Sequence, residues 1–174
     1  MSFYVVDIEA DNTTPATGSI VCFGAVRVTE GLKDTFYGQT APISDTWNPE
    51  ALAISGFSRE EHEKFPIPSI AIHDFYCWVK STNKAGRPVF ISDNLSFDSM
   101  WISYYFDRYL LDNPFGYSGR RIGDLYCGLV KDAYAKWKHL SITNHSHMPV
   151  QDAKGNAEIL LYMKNKMGLK ITLE

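Results

Sequence analysis

The sequence lacks an excess of positive charge. Its 174 residues include 17 Lys and Arg against 20 Asp and Glu, which gives a formal net charge of −3 at pH 7, and the sequence pI is about 5.9. Proteins that coat nucleic acid regardless of its sequence are usually basic. The composition therefore argues against such coating. A phosphate chain that binds here should bind at a local site, such as a metal centre.

Cysteine and long apolar runs are also scarce. The three cysteines, Cys22, Cys77 and Cys127, are odd in number and have no metal-ligand spacing, which favours buried free thiols in a reducing compartment. No segment is apolar for long enough to span a bilayer, and no basic segment precedes an apolar stretch as in a signal peptide. We therefore expect a cytoplasmic protein that has no membrane partner.

The pattern of apolar residues predicts a single α/β domain over residues 1–174. Short, turn-rich connections favour an antiparallel meander of the first three strands. The predicted strands are Phe3–Ile8, Ile20–Val28, Asp34–Gln39 and Val89–Ile91. The predicted helices begin at Ser69 and at Asn94 or Ser96, and two more cover Arg121–Ala135 and Val150–Met167. This order indicates a mixed central sheet with helices packed on its faces.

Two carboxylates end the first predicted strand. Asp7 and Glu9 share one face of that strand, since residues i and i+2 project from the same side. The apolar neighbours Val6 and Ile8 argue for partial burial, and two buried carboxylates repel each other unless positive charge lies between them. A solvated strand end is the alternative explanation for this pair.

Two further acids lie early in predicted helices, Asp98 in the segment NLSFD and Asp152 in the segment HMPVQDA. An acid in the first turn of a helix is favoured by the helix dipole, which would explain either residue alone. The alternative is that both belong to one site with Asp7 and Glu9.

Taken together, these segments resemble the three motifs of the DEDDh exonucleases, a group that includes ribonuclease T and oligoribonuclease. The motifs here are Asp7-Ile8-Glu9, NLSFD at 94–98 and HMPVQD at 147–152, and their order and separations fit over nearly the whole chain. The resemblance implies a ribonuclease H-like fold with three antiparallel N-terminal strands and helices on both faces. It also implies two divalent cations, Mg²⁺ or Mn²⁺, which suit hard carboxylate oxygens.

The resemblance assigns roles to five residues. Asp7, Glu9, Asp98 and Asp152 would bind the two cations, with Asp7 shared between them, and His147 would be the general base that takes a proton from the attacking water. His145 lies two residues too far from Asp152 for the family spacing, so we interpret it as a polar loop residue. Without cysteine ligands or clustered histidines, the site is not expected to favour zinc.

Five further residues are candidate substrate contacts. They are Ala10, Gly56, Phe57, Asn94 and Trp101. Phe57 could stack on a base, whereas Trp101 could equally belong to the core. Asp11 departs from the family pattern, because it adds negative charge just beyond the Asp7–Glu9 pair; it would lie beside a phosphate path or cap the turn at Asn12.

The sequence therefore predicts a metal-dependent 3'-5' exonuclease that releases nucleoside 5'-monophosphates. Similarity to the compact exoribonucleases favours single-stranded RNA, or the 3' overhang of a duplex, as substrate, with DNA as the alternative. An inactive module that binds nucleic-acid ends is a second interpretation. A glycosidase with paired carboxylates is a third, but it leaves His147 and the motif order unexplained. A homodimer could form through the aromatic-rich segment from Trp101 to Leu111, which could also be core.

Overall fold

Five strands form one mixed sheet. The computed structural model describes residues 1–173, and its strands are β1 (Phe3–Ala10), β2 (Ile20–Arg27), β3 (Thr35–Gln39), β4 (Val89–Ser92) and β5 (Gly119–Arg121). Their spatial order is β3-β2-β1-β4-β5. β1 to β3 are antiparallel neighbours, whereas β4 runs parallel to β1 and β5 runs parallel to β4. The predicted meander and mixed sheet are confirmed.

Six α-helices and one 3₁₀ turn accompany the strands within residues 1–173. They are α1 (Pro49–Ile54), α2 (Arg59–His62), α3 (Pro68–Thr82), α4 (Leu95–Leu110), α5 (Ile122–Val130), the 3₁₀ turn (Lys138–Leu140) and α6 (Pro149–Met167). Their ends follow local chemistry. The Asn48 side chain accepts hydrogen bonds from two backbone N–H groups at the start of α1, and Gly168, at φ 78°, ends α6.

Alternate residues of β1 face two different cores. Tyr4 and Val6 pack with residues of α3 and α4 such as Phe75 and Phe106, whereas Val5 packs on the opposite side with residues of α5 and α6 such as Leu160. The sheet is therefore covered by helices on both faces, as predicted. Because side chains alternate along a strand, Asp7 and Glu9 lie on the same side as Val5, which is the side of α6.

A glycine in β2 lets α6 approach the sheet closely. Gly24 pairs with Asp7 across the β1–β2 ladder. A Cβ atom at Gly24 would lie 2.4 Å from the backbone nitrogen of Val150 and 2.5 Å from the carbonyl carbon of Pro149. The first turn of α6 therefore rests on the backbone beside Asp7, which brings the beginning of this helix to the acidic end of β1.

The structure corrects two expectations. The helix predicted over Arg121–Ala135 begins one residue later, after strand β5, and ends at Val130, because Lys131 adopts a left-handed conformation at φ 60°. The segment Gly119–Arg121 is too short and polar to be recognised as a strand from its sequence, and only pairing with β4 defines it.

The three cysteines are free, but only Cys22 is buried, whereas Cys77 is exposed on the outer side of α3.

Helix α4 contributes mostly to the core. The side chains of Trp101, Tyr105 and Phe106 are fully buried, whereas Tyr104 and Leu111 are exposed. The aromatic segment that could have been an interface is therefore largely internal, and the homodimer stays a prediction. Across residues 1–173, none of the helices combines the length and apolarity required to cross a membrane.

Candidate active site

Three carboxylates converge where β1 ends against α6. One oxygen each from Asp7, Glu9 and Asp152 lies within 4.8 Å of the other two. Burial raises the pKa of Asp7 well above its usual range, and the charges of Asp98, Glu9 and Asp152 raise it further. Burial also raises the pKa of Glu9, although nearby His147 opposes this shift. The site therefore holds more negative charge than its surroundings stabilise.

Asp98 lies beside this group, in the first turn of α4. It does not belong to the set of converging oxygens, but its charge is the largest electrostatic cause of the raised pKa of Asp7. Only 3% of Asp98 is exposed, and this burial raises its pKa to about 7, with the hydroxyl of Ser92 opposing the shift. The structure thus brings all four acids of the predicted site into one region.

Asp152 contributes a buried oxygen that has no hydrogen bond. Its Oδ1 atom accepts a hydrogen bond of 2.9 Å from the backbone N–H of Ser146. Its Oδ2 atom is buried without a hydrogen bond, and Nδ1 of His145 lies 2.9 Å away, within ion-pair distance. A buried carboxylate oxygen that accepts no hydrogen bond is costly. Together with the crowded carboxylates, this oxygen fits a site for divalent cations.

Two histidines on the loop before α6 border the acids. Nδ1 of His147 lies 3.4 Å from Oε1 of Glu9, and the His147 backbone is left-handed at φ 57°. The ring of His145 lies 4.5 Å from that of His147, measured between centroids. No clustered histidines were expected from the sequence, and this expectation was wrong, because the loop folds both rings towards Asp152.

Comparison with known proteins identifies the family. No family model matches the chain. The 3'-5' DNA exonuclease Cap18 of Escherichia coli is 35% identical over 138 residues, which are 78% of this chain and 72% of that protein. The chain belongs to the DEDDh 3'-5' exonucleases.

Solved structures agree on the fold of this DEDDh exonuclease. The nuclease domain of 3'hExo, a DEDDh family member bound to rAMP, has a TM-score of 0.78 and 16% identity over 99% of this chain and 96% of its own. Escherichia coli exonuclease I in complex with a dT13 oligonucleotide has a TM-score of 0.74 and 16% identity, and this chain covers 42% of it. The ribonuclease H-like fold predicted from the motifs is confirmed.

The histidine loop of this exonuclease is fastened to α6 by Glu158. One carboxylate oxygen of Glu158 accepts hydrogen bonds from the backbone N–H groups of Ile142 (2.9 Å) and Thr143 (2.8 Å). The other accepts the hydroxyl hydrogen of Thr143 at 2.8 Å. Gly155 allows this contact, because a Cβ atom there would lie 2.6 Å from Oγ of Ser141. Sequence reasoning missed Glu158, which looks like an ordinary helix residue until the loop is folded onto it.

Asp93 and Lys138 also escaped sequence reasoning. Their side chains form an ion pair of 2.7 Å and line a cleft that also includes Asp7, His145 and Asp152. The pair joins the end of β4 to the 3₁₀ turn that leads into the histidine loop. Neither residue belongs to a family motif, so only the folded chain shows that they border the site.

The candidate substrate residues divide into those whose side chains are buried and those that solvent can reach. Ala10 is buried at the end of β1, while Gly56 and Asn94 are exposed and Phe57 is half-buried. Gly56 has a left-handed φ of 78°, and space is open around the position of a Cβ. Trp101 is fully buried, so the assignment of its side chain to the substrate surface is wrong.

Asp11 does not lie beside a phosphate path. Its side chain is fully buried and accepts a hydrogen bond from the backbone N–H of Ser19. Its other oxygen lies 3.1 Å from a guanidinium nitrogen of Arg59 and 3.7 Å from Nδ1 of His62. The turn at Asn12 is stabilised by the Asn12 side chain itself. Asp11 therefore ties α2 to the end of β1.

The metal-free protein should lose stability as the pH rises from about 4 to about 7. Because the folded state binds the proton of Asp98 more tightly than the unfolded state, the folded-state advantage is complete below the ordinary value of 3.8 and is lost as the pH rises through about 7. Asp98→Asn removes this titration, so the variant should lose less stability over that interval.

Urea unfolding at a series of pH values in chelator measures this difference. Asp107→Asn, an exposed acid on the same helix, is the matched control and should follow the wild type. Identical pH profiles for wild type and Asp98→Asn would contradict the assignment.

Glu158→Ala should lower kcat by about 10- to 100-fold with little change in KM. The substitution would loosen the loop that carries His147, and a displacement of a reacting group by about 1 Å can lower the rate by that much. If Glu158 acts by placing His147, the same substitution in a His147→Ala background should cost almost nothing further. Steady-state kinetics of the four proteins measures the coupling, and Glu60→Ala on α2 is the control. Equal losses in both backgrounds would show that Glu158 acts independently of His147.

Proposed function

We propose that residues 1–174 act as one exonuclease domain that removes nucleoside 5'-monophosphates from the 3' end of single-stranded DNA or of a 3' overhang. The observation that carries this proposal is the convergence of Asp7, Glu9 and Asp152, with Asp98 beside Asp7. A chain of the DEDDh family with this arrangement retains all the acids that the reaction requires.

The relative that shares 35% identity supports DNA as substrate, since it is named a 3'-5' DNA exonuclease. The more distant neighbours were solved with nucleotides of both kinds, rAMP and dT13, and do not favour either. Discrimination depends on what meets the 2'-hydroxyl group. The RNA preference expected from the sequence is the alternative that the assay below tests.

The four acids Asp7, Glu9, Asp98 and Asp152 would hold two divalent cations, Mg²⁺ or Mn²⁺. Cations at such a site stabilise the attacking and leaving oxygens of an in-line displacement at phosphorus. The protein contributes the placement of the carboxylates: Asp7 and Glu9 are fixed by β1, Asp152 by α6 and Asp98 by α4. Because α4 and α6 pack on opposite faces of the sheet that contains β1, the carboxylates need little rearrangement when a substrate binds.

His147 is the proposed general base. One ring nitrogen lies 3.4 Å from Glu9, which leaves the other nitrogen to accept a proton from the attacking water. The charge of Glu9 then stabilises the imidazolium that forms. About half of the His147 side chain is exposed, so it can reach a water molecule at the edge of the site.

Residues around the site would hold the end of the strand. Asn94 is exposed at the start of α4, and its side chain does not cap that helix, so its amide is available to a nucleotide. Phe57 contacts Phe65 edge to face, with centroids 5.0 Å apart, and offers a partly exposed ring for stacking. The ion pair between Asp11 and Arg59 holds the start of α2, two residues after Phe57, against the end of β1.

A 3'-labelled single strand of DNA and one of RNA, with equal sequences, test the proposal in Mg²⁺ and in Mn²⁺. The wild type should release mononucleotides, and chelator should stop the release. Asp7→Asn should abolish it, because the acidic group loses one of its converging carboxylates. His147→Ala should lower kcat by about 100- to 10,000-fold.

Asp107→Asn is the control for these variants and should retain the wild-type rate. Full activity of Asp7→Asn would contradict the assignment of the acidic group. Tight oligonucleotide binding without release of nucleotides by the wild type would instead favour the inactive end-binding module. Faster release from RNA than from DNA would overturn the proposed DNA preference.

A further inference from the structure

A second group of converging ligand atoms lies next to the acidic one. It consists of His145, His147 and Asp152, and one ligand atom from each lies within 4.8 Å of the other two. The two rings are inclined at 69°, and the side chains are 57% and 51% exposed. A dissolved ion can therefore reach both imidazoles.

The buried oxygen of Asp152 adds a second observation to the position of the two histidines. The Asp152 side chain is 1% exposed, and Oδ2 is buried without a hydrogen bond. Nδ1 of His145 lies 2.9 Å from this oxygen, within ion-pair distance. A carboxylate oxygen and a ring nitrogen this close together can also bind a common cation.

The chemistry of this group differs from that of the acidic group. Two imidazole nitrogens and one carboxylate oxygen suit Zn²⁺ better than Mg²⁺, which prefers oxygen ligands. The segment His145-Ser146-His147 lies on a loop that Glu158 fastens to α6. The two rings are therefore held near Asp152 before any ion arrives, which lowers the entropic cost of binding.

We propose that His145, His147 and Asp152 bind Zn²⁺ and that the bound ion inhibits the exonuclease. Zn²⁺ occupies the imidazole that otherwise accepts a proton and the carboxylate that otherwise holds a catalytic cation. The inhibition rests on the proposed function, whereas the binding does not. The acidic group and the histidine group share Asp152, so the two kinds of ion compete.

Calorimetric titration of ZnCl₂ into the nucleic-acid-free chain, without Mg²⁺, tests the binding. The wild type should bind Zn²⁺, and His145→Ala should weaken the affinity at least about tenfold, since even residues that only support a metal ligand contribute that much. His139→Ala, an exposed histidine on the preceding 3₁₀ turn, is the matched control and should bind like the wild type. Asp7→Asn should also retain zinc binding, because it disrupts only the acidic group.

Equal affinity of wild type and His145→Ala would overturn the proposed site. Loss of zinc binding in Asp7→Asn together with unchanged binding in His145→Ala would place the ion in the acidic group instead. Absorption spectra with Co²⁺ as a probe add a second readout, since nitrogen ligation changes the visible bands.

The inhibition is tested by the rate of nucleotide release in saturating Mg²⁺ as Zn²⁺ is added, with each variant compared with its own zinc-free rate. The wild type should lose activity, and His145→Ala should need at least about tenfold more Zn²⁺ for the same fractional loss. Zinc binding without any loss of rate would overturn the inhibition. An inactive zinc-free wild type would count against the proposed function, while the calorimetry would still decide the site.

Discussion

Repulsion among four carboxyl groups is the constraint on which the rest of this structure depends. Asp7, Glu9 and Asp152 meet within 4.8 Å, and Asp98 adds its charge from a nearly buried position. A protein interior does not stabilise such a concentration of negative charge, so protons or metal cations must offset it. The raised pKa values of Asp7 and Asp98 describe the protonated alternative, and divalent cations provide the functional one.

The fold concentrates these groups by simple means. Alternation along β1 places Asp7 and Glu9 on the α6 side, and Gly24 removes the side chain that would keep α6 away. The same helix then supplies Asp152 and, through Glu158, the support of the histidine loop. One close helix–strand contact thus positions both the acids and the proposed base, so chemistry and packing share the same elements.

The resemblance of the three motifs to those of the DEDDh exonucleases was enough to predict the fold and the four acids, which lie on regular elements in the order that the family implies. Residues that act through tertiary contacts could not be found in that way. The sequence gives no sign that the carboxylate of Asp11 pairs with Arg59 in the folded chain. The role of Glu158 and the strand β5 likewise depend on contacts with the histidine loop and with β4. Trp101, in the second turn of α4, could have been core or substrate surface, and packing alone decides this. His145 failed the family spacing, yet loop geometry brings it to Asp152.

The claim that metal cations replace protons on the crowded carboxyl groups is tested most directly by the number of protons released when Mn²⁺ binds. Titration calorimetry at pH 6.5, in two buffers that differ in ionisation enthalpy, gives that number without any nucleic acid or turnover. Because the metal-free pKa of Asp98 is about 7 and that of Asp7 is also raised, the account predicts release of about one proton or more per chain. Equal heats in the two buffers, with no proton released on binding, would contradict it.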